Sequence, residues 1–185
     1  MNLFFLHLDP QRSANYYCNR HCIKIILEIT QMLYCAHWLA PNTPTGWITD
    51  HELCLDLKPY RKTHYNHPTS KWIRQHINNY KYACSMALAL CIEYTARYNK
   101  IHQCQQRIEW LQEHIPRIDE SIDIPNSYLA TTNIPPGCTP VPLAMPEQYH
   151  SSDLLQSYRT YYIFGKAHLA DSDEQWAWLR SEFNL

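Results

Sequence analysis

The hydrophobic and polar positions of this chain follow a helical rhythm over most of its length. Between Cys18 and Trp38, the residues Ile25, Ile29, Met32, Leu33 and Ala36 recur with a period of about 3.6, with Cys22 and Ile26 beside them. Ile23, Leu27 and Tyr34 are apolar on the other flank, so this helix is expected to be central and buried. Ahead of it lies a short apolar segment, residues 2 to 8, strand or extended. Asp9-Pro10 then supplies an N-cap and a first helical position, opening a helical run to about Trp38 with a break near Cys18. Residues 40–66, with Pro41-Asn42, Thr43-Pro44 and Thr45-Gly46, read as a long loop with short elements. Asn66-His67-Pro68-Thr69 starts a second helical stretch, long from Ser70 to about Asn99, whose Trp72, Asn79, Tyr80, Ala83, Ala87, Leu90, Cys91 and Tyr94 form a core stripe. A further helix is predicted over Ile101 to His114. Residues 116–149 are proline-rich and read as a connection in polyproline-like geometry. A last helix runs from Asp153 to about His168, and a short tail with Trp176 and Trp178 follows. The expected fold is mainly α: one helical domain over residues 1–185, a compact bundle with a proline-rich connection before its last helix.

The first long helix carries one irregularity. His21, Lys24, Glu28 and Gln31 fall within about one quarter of the wheel, at spacings of three and four. One reading is a solvated edge with a Lys24–Glu28 ion pair. The other is a cleft-lining stripe, in which partial burial alters the proton affinities of a carboxylate, an ammonium and an imidazole. The apolar remainder of the helix favours the second.

Composition narrows the chemistry. Apolar residues make up 45% of the chain and charged residues 18%, a globular balance, and the net charge of -1 names no partner. The 11 histidines would turn that balance basic in an acidic setting. With only 3 glycines and no Walker-type loop, ATP hydrolysis is disfavoured, whereas 14 tyrosines and 6 tryptophans favour aromatic packing or stacking. The 8 cysteines include no Cys-x-x-Cys pair and follow no signal peptide, so they read as reduced intracellular thiols, cytoplasmic or nuclear. Cys18, His21 and Cys22 could share a helix face, but a fourth ligand is not visible, and no metal or other cofactor is expected. No stretch approaches the roughly 20 apolar residues of a membrane span, so no membrane partner is expected. No serine or cysteine has the surroundings of a nucleophile.

Several segments together resemble a known family. The His21-x6-Glu28 spacing after an N-terminal apolar segment and a short helix-start turn is similar to that of the phage-type pyrimidine-dimer DNA glycosylases and their small bacterial relatives. Asn66-His67-Pro68 with Trp72 and Arg74 resembles the start of the bacterial relatives' second long helix, and Glu93-Tyr94 with Arg97-Tyr98 resembles its end. Tyr158-Arg159-Thr160-Tyr161-Tyr162 and Gly165-Lys166-Ala167 resemble the tail of the phage enzyme. Uncharacterised proteins of tailed phages and large DNA viruses share the His-x2-Lys-x3-Glu helix, so the chain is expected to be of viral or phage type.

The resemblance implies a base-excision enzyme, a DNA glycosylase with AP-lyase chemistry through an amine Schiff base. Met1 would supply the amine, since Asn2 disfavours removal of the initiator, and an α-amine is neutral at lower pH than a lysine. Glu28 would be the catalytic carboxylate, with His21 and Lys24 as positioning or electrostatic groups. Asn2, Gln31, His67, Arg74, Arg97, Arg159, Tyr161, Tyr162 and Lys166 would contact substrate, which is damaged or modified DNA or a nucleotide. Read from the residues alone, Arg74 and Arg97 are surface ion-pair or phosphate groups, and His67 is a turn residue. The family's arginines beside and three after its glutamate are replaced by Leu27 and Gln31; Lys24 is then either a substitute grip or itself the amine nucleophile. Two rivals stand beside this reading: a nucleotide-binding (sponge or anti-defence) protein without catalysis, and a base- or nucleotide-modifying enzyme on the same scaffold.

Overall fold

The computed structural model describes residues 2–41, 46–125 and 127–185. The chain is mainly α, as its periodicity predicts, with eight α-helices and one two-stranded pairing among the described residues. Asp9 caps α1 (Pro10–Asn15): its Oδ1 accepts the Arg12 N–H at 2.8 Å, and Pro10 fills the first turn. Replacing Asp9 by Ala should cost about 1 kcal/mol in urea unfolding, whereas Asp9→Asn should cost a few tenths. After the break at Cys18, α2 (Asn19–Leu39) runs through the middle of the molecule against α4 (Pro68–Gln75) and α5 (Ile77–Tyr98). Ile25, Ile26, Ile29, Met32 and Leu33 are buried on it.

Segment 2–8 is extended but joins no sheet. Leu3, Phe4, Phe5 and Leu6 are buried, so their backbone polar groups need partners, and side chains supply them. Tyr17 Oη both accepts from the Phe4 N–H and donates to its carbonyl; Ser13 Oγ takes the Leu6 N–H, and Arg159 Nε donates to the Leu6 carbonyl.

Residues 40–66 hold a helix among the short elements expected there: α3 (Trp47–Leu55) packs on α6 (Gln105–Glu113), and its Trp47 ring meets Trp38, His37 and Trp110. Part of the Pro41 to Gly46 turn signal lies outside the described residues. Four other expectations need correction. The stretch from Ser70 to Asn99 is two helices, because His76 adopts an extended conformation and its Nδ1 accepts the Asn78 N–H, capping α5. The proline-rich connection is part of the core. It holds β1 (Leu129–Ala130) paired antiparallel with β2 (Val141–Pro142), and Asn79 clamps Thr139 through both its backbone N–H and its hydroxyl. The helix expected to reach His168 is α only over α7 (Leu154–Thr160); Tyr161–Gly165 widen into a π turn and Ala167–Leu169 tighten into a 3-10 turn. The tail is a helix, α8 (Asp173–Phe183), capped by Ser172 and docked through Trp176, Leu179 and Phe183.

All eight cysteines are free thiols. No helix among the described residues is long and apolar enough to cross a membrane.

Candidate functional site

The polar stripe of α2 lines a cleft of about 180 Å³. His21, Lys24, Ile25 and Glu28 form its α2 wall; Asn2 and Phe4 come from the extended segment, Ala144 from the proline-rich connection, and Tyr161 and Lys166 from the π turn and its end. Three distant stretches of sequence thus converge on one face of the central helix.

Each wall has a local cause. Asn2 and Phe4 alternate along an extended chain, so both side chains face the same way. Asn2 Nδ2 donates to the Ala144 carbonyl at 3.1 Å, and its backbone N–H donates to Glu28 Oε2 at 2.9 Å. The other carboxylate oxygen, Oε1, lies 3.3 Å from Lys24 Nζ. Both readings of the stripe therefore describe the same residues: Lys24 is exposed and ion-paired, while Glu28 is only 9% exposed at the cleft. In the π turn, Gly165 lets the Tyr161 ring lie against the backbone, since a Cβ there would fall 2.5 Å from the ring. Lys166 Nζ sits 5.0 Å from the centroid of that ring.

His21 is buried and its ring stacks on Phe4 at 4.8 Å. Burial pushes its pKa down to about 4, and the nearby basic side chains of Lys166 and Lys24 push the same way. The imidazole is therefore neutral at neutral pH. Tyr162 Oη accepts the Cys18 N–H at 2.8 Å and shares a hydrogen bond with His21 Nδ1 at 3.1 Å. The cleft thus combines a carboxylate that accepts from Asn2 and pairs with Lys24, a neutral imidazole, two ammonium groups and two aromatic rings. It can attract an anion through Lys24 and Lys166, and stabilise a positive centre at Glu28.

The structure brings together Asn2, His21, Lys24, Glu28, Tyr161 and Lys166. Met1, expected to supply the amine, lies outside the described residues. Gln31 is half-buried one turn beyond Glu28 on the same helix. His67 caps α4, accepting the Thr69 N–H; burial lowers its pKa, and Glu28 is near enough to oppose that shift. Tyr162 does not line the cleft but stands behind His21, fully buried.

The three arginines lie elsewhere. Arg74 is not a surface group: it is buried and donates to Ser70 Oγ, because its side chain turns inward along α4. Arg97 pairs with Glu93 at 2.7 Å and donates to the Tyr17 carbonyl, pinning the α1–α2 junction. Arg159 holds Leu6 and stacks on Phe183 at 4.7 Å.

Sequence reasoning passed over Phe4 and Ala144. Its available signal for Phe4 was alternation with Asn2; Ala144 had none. A second signal went unread: between Asp56 and Glu93 the chain carries Lys58, Arg61, Lys62, Lys71, Arg74 and Lys81 and no acidic residue. Among the described residues, no group of three or more histidine, cysteine or acidic side chains is placed to hold a metal ion. No family model, curated protein or solved structure matches the chain.

Proposed function

We propose that this protein is a nucleic-acid base-excision enzyme, a DNA glycosylase with AP-lyase chemistry. The observation that carries the reading is the hydrogen bond from the Asn2 N–H to Glu28 Oε2 at the cleft wall. That bond sets Glu28 beside Asn2, and the amine that the family resemblance assigns as nucleophile belongs to the residue before Asn2 in the sequence. A carboxylate and a neutral imidazole beside two cations are groups that Schiff-base excision draws on.

In this reading the neutral amine attacks C1′ of a nucleotide turned out of its stack. The N–C1′ bond forms as the glycosidic bond breaks, and the base departs with the electron pair and takes up a proton. Glu28 stabilises the sugar's developing positive charge. O4′ takes up a proton from water as the C1′–O4′ bond opens, which leaves a protonated imine, and loss of a C2′ proton to Glu28 expels the 3′ phosphate. Water then hydrolyses the imine and returns the amine. Lys24 and Lys166 hold the flanking phosphates, and the neutral His21 imidazole hydrogen-bonds the sugar.

Borohydride reduction in the presence of an abasic oligonucleotide should trap a covalent adduct that maps by mass to residue 1. Acetylating the N-terminus should remove it. An adduct on Lys24 would move the nucleophile to that side chain. A second reading, nucleotide capture without chemistry, rests on the Lys24 and Lys166 ammoniums flanking the Phe4 and Tyr161 rings. The absence of any adduct together with tight mononucleotide binding would replace the first reading by the second.

A further inference from the structure

We infer that the basic segment following α3 is a docking track for a nucleic-acid backbone, leading along α2 to the cleft. The inference rests on the base-excision reading for its choice of partner.

The placement follows from the stripe itself. Lys24, Glu28, Gln31 and Cys35 share one face of α2, and Glu28 to Cys35 spans roughly 10 Å along the axis. At the far end, Cys35 Sγ donates to the Thr63 carbonyl at 2.8 Å and Trp38 Nε1 donates to the Tyr60 carbonyl at 2.8 Å. The segment ends at His67, which caps α4, and α4 packs against α2. Backbone tethers thus hold Tyr60 and Thr63 against α2, while the side chains of Arg61, Lys62, His64 and Tyr65 are exposed.

Those side chains are suited to a polyanion. Among the described residues, none of Lys58, Arg61 and Lys62 is ion-paired. Lys62 Nζ lies 5.1 Å from the centroid of the Tyr65 ring, and that residue is 43% exposed, giving a cation beside a flat aromatic surface. An acidic protein surface would also meet the charge, but a continuous track ending at a carboxylate-bearing cleft fits a linear chain of phosphates better than a patch.

Fluorescence anisotropy with an undamaged 20-base-pair DNA duplex, titrated between 50 and 200 mM KCl, tests the track without requiring any chemistry. Arg61→Ala/Lys62→Ala should lower the magnitude of the log-affinity versus log-salt slope by about 2, and weaken binding at 50 mM salt by about tenfold. Lys100→Ala/Arg117→Ala, an exposed pair outside the segment, should leave both unchanged. Trapping on an abasic trinucleotide, too short to reach the track, should be equal in wild type and the Arg61/Lys62 variant. An unchanged slope in that variant, or equal losses in both pairs, overturns the track even where the adduct forms. A lost slope with no adduct in any protein keeps the track and overturns the base-excision reading.

Discussion

Glu28→Gln will reduce single-turnover strand cleavage at an abasic site by 10²–10⁴-fold, roughly the range for removing a positioned acid–base group, while leaving the fold in place. Glutamine has nearly the same shape and keeps a carbonyl oxygen to accept the Asn2 N–H, so the buried end of the contact survives. What disappears is the negative charge to which the proposed mechanism gives stabilisation of the sugar cation and receipt of the C2′ proton. The ion pair to exposed Lys24 is of the i,i+4 type, worth about 0.3–0.5 kcal/mol, so its loss will barely move the urea midpoint. Lys24→Met separates the roles: it should weaken binding while the maximal rate falls less than in Glu28→Gln. A Glu28→Gln protein that unfolds would make the carboxylate a structural anchor; one that cleaves at the wild-type rate would remove it from the mechanism.

A second large effect is acid sensitivity. Burial pushes His21 down to about 4 and His37 down to about 3, from an ordinary value of 6.5. His37 sits with Trp47 and Trp110 around it and shares a hydrogen bond with Tyr80. Above pH 6.5 both rings are neutral whether the chain is folded or not, and their contribution is complete. Below it the unfolded chain takes up protons that the folded one refuses, so stability falls with pH until the folded values are reached. At pH 5 each ring accounts for about 2 kcal/mol of lost stability, about 4 for the pair, against total stabilities of roughly 5–15 kcal/mol. His7, His51, His67 and His102 are lowered as well, burial being the largest cause in each, and add in the same direction. Urea unfolding at pH 7 and pH 5 measures the difference. His37→Gln, which cannot titrate and can still reach the Tyr80 hydroxyl, should roughly halve the two-histidine share. A stability that does not change between the two pH values would contradict this account.

Much of the architecture can be read from local chemistry. Asp9-Pro10 and His67-Pro68 mark their helix starts because the cap acceptor and the proline act within one turn. The stripe on α2 is legible because a helix places residues three and four apart on one face whatever surrounds it. The break at His76 is less so: no glycine or proline announces it, and the capping imidazole is one of many histidines. α3 depends on Trp47 finding Trp38, His37 and Trp110, contacts from two other helices that no short window contains. The same limit divides the site. His21, Lys24 and Glu28 are legible from spacing, whereas Asn2, Tyr161 and Lys166 come from family resemblance, and Ala144 from neither. Arg97 and Arg159 show why surface placement of a cation is a weak inference: interior carbonyls of Tyr17 and Leu6 need donors, and long guanidinium arms reach them.

The π turn at Tyr161–Gly165 sets the phase of everything after it. An α-helix advances about 100° per residue, and a π turn accommodates one residue more than an α turn. Upstream, Leu154 and Tyr158 are seated in the core; downstream, Lys166 reaches the cleft and α8 docks through Trp176. Deleting one residue from the turn would restore ordinary pitch and leave those two halves out of phase by about a quarter turn. Length variation between residues 161 and 165 in any relative of this chain would therefore change the lining of the cleft, whereas insertions in an exposed loop would leave it intact.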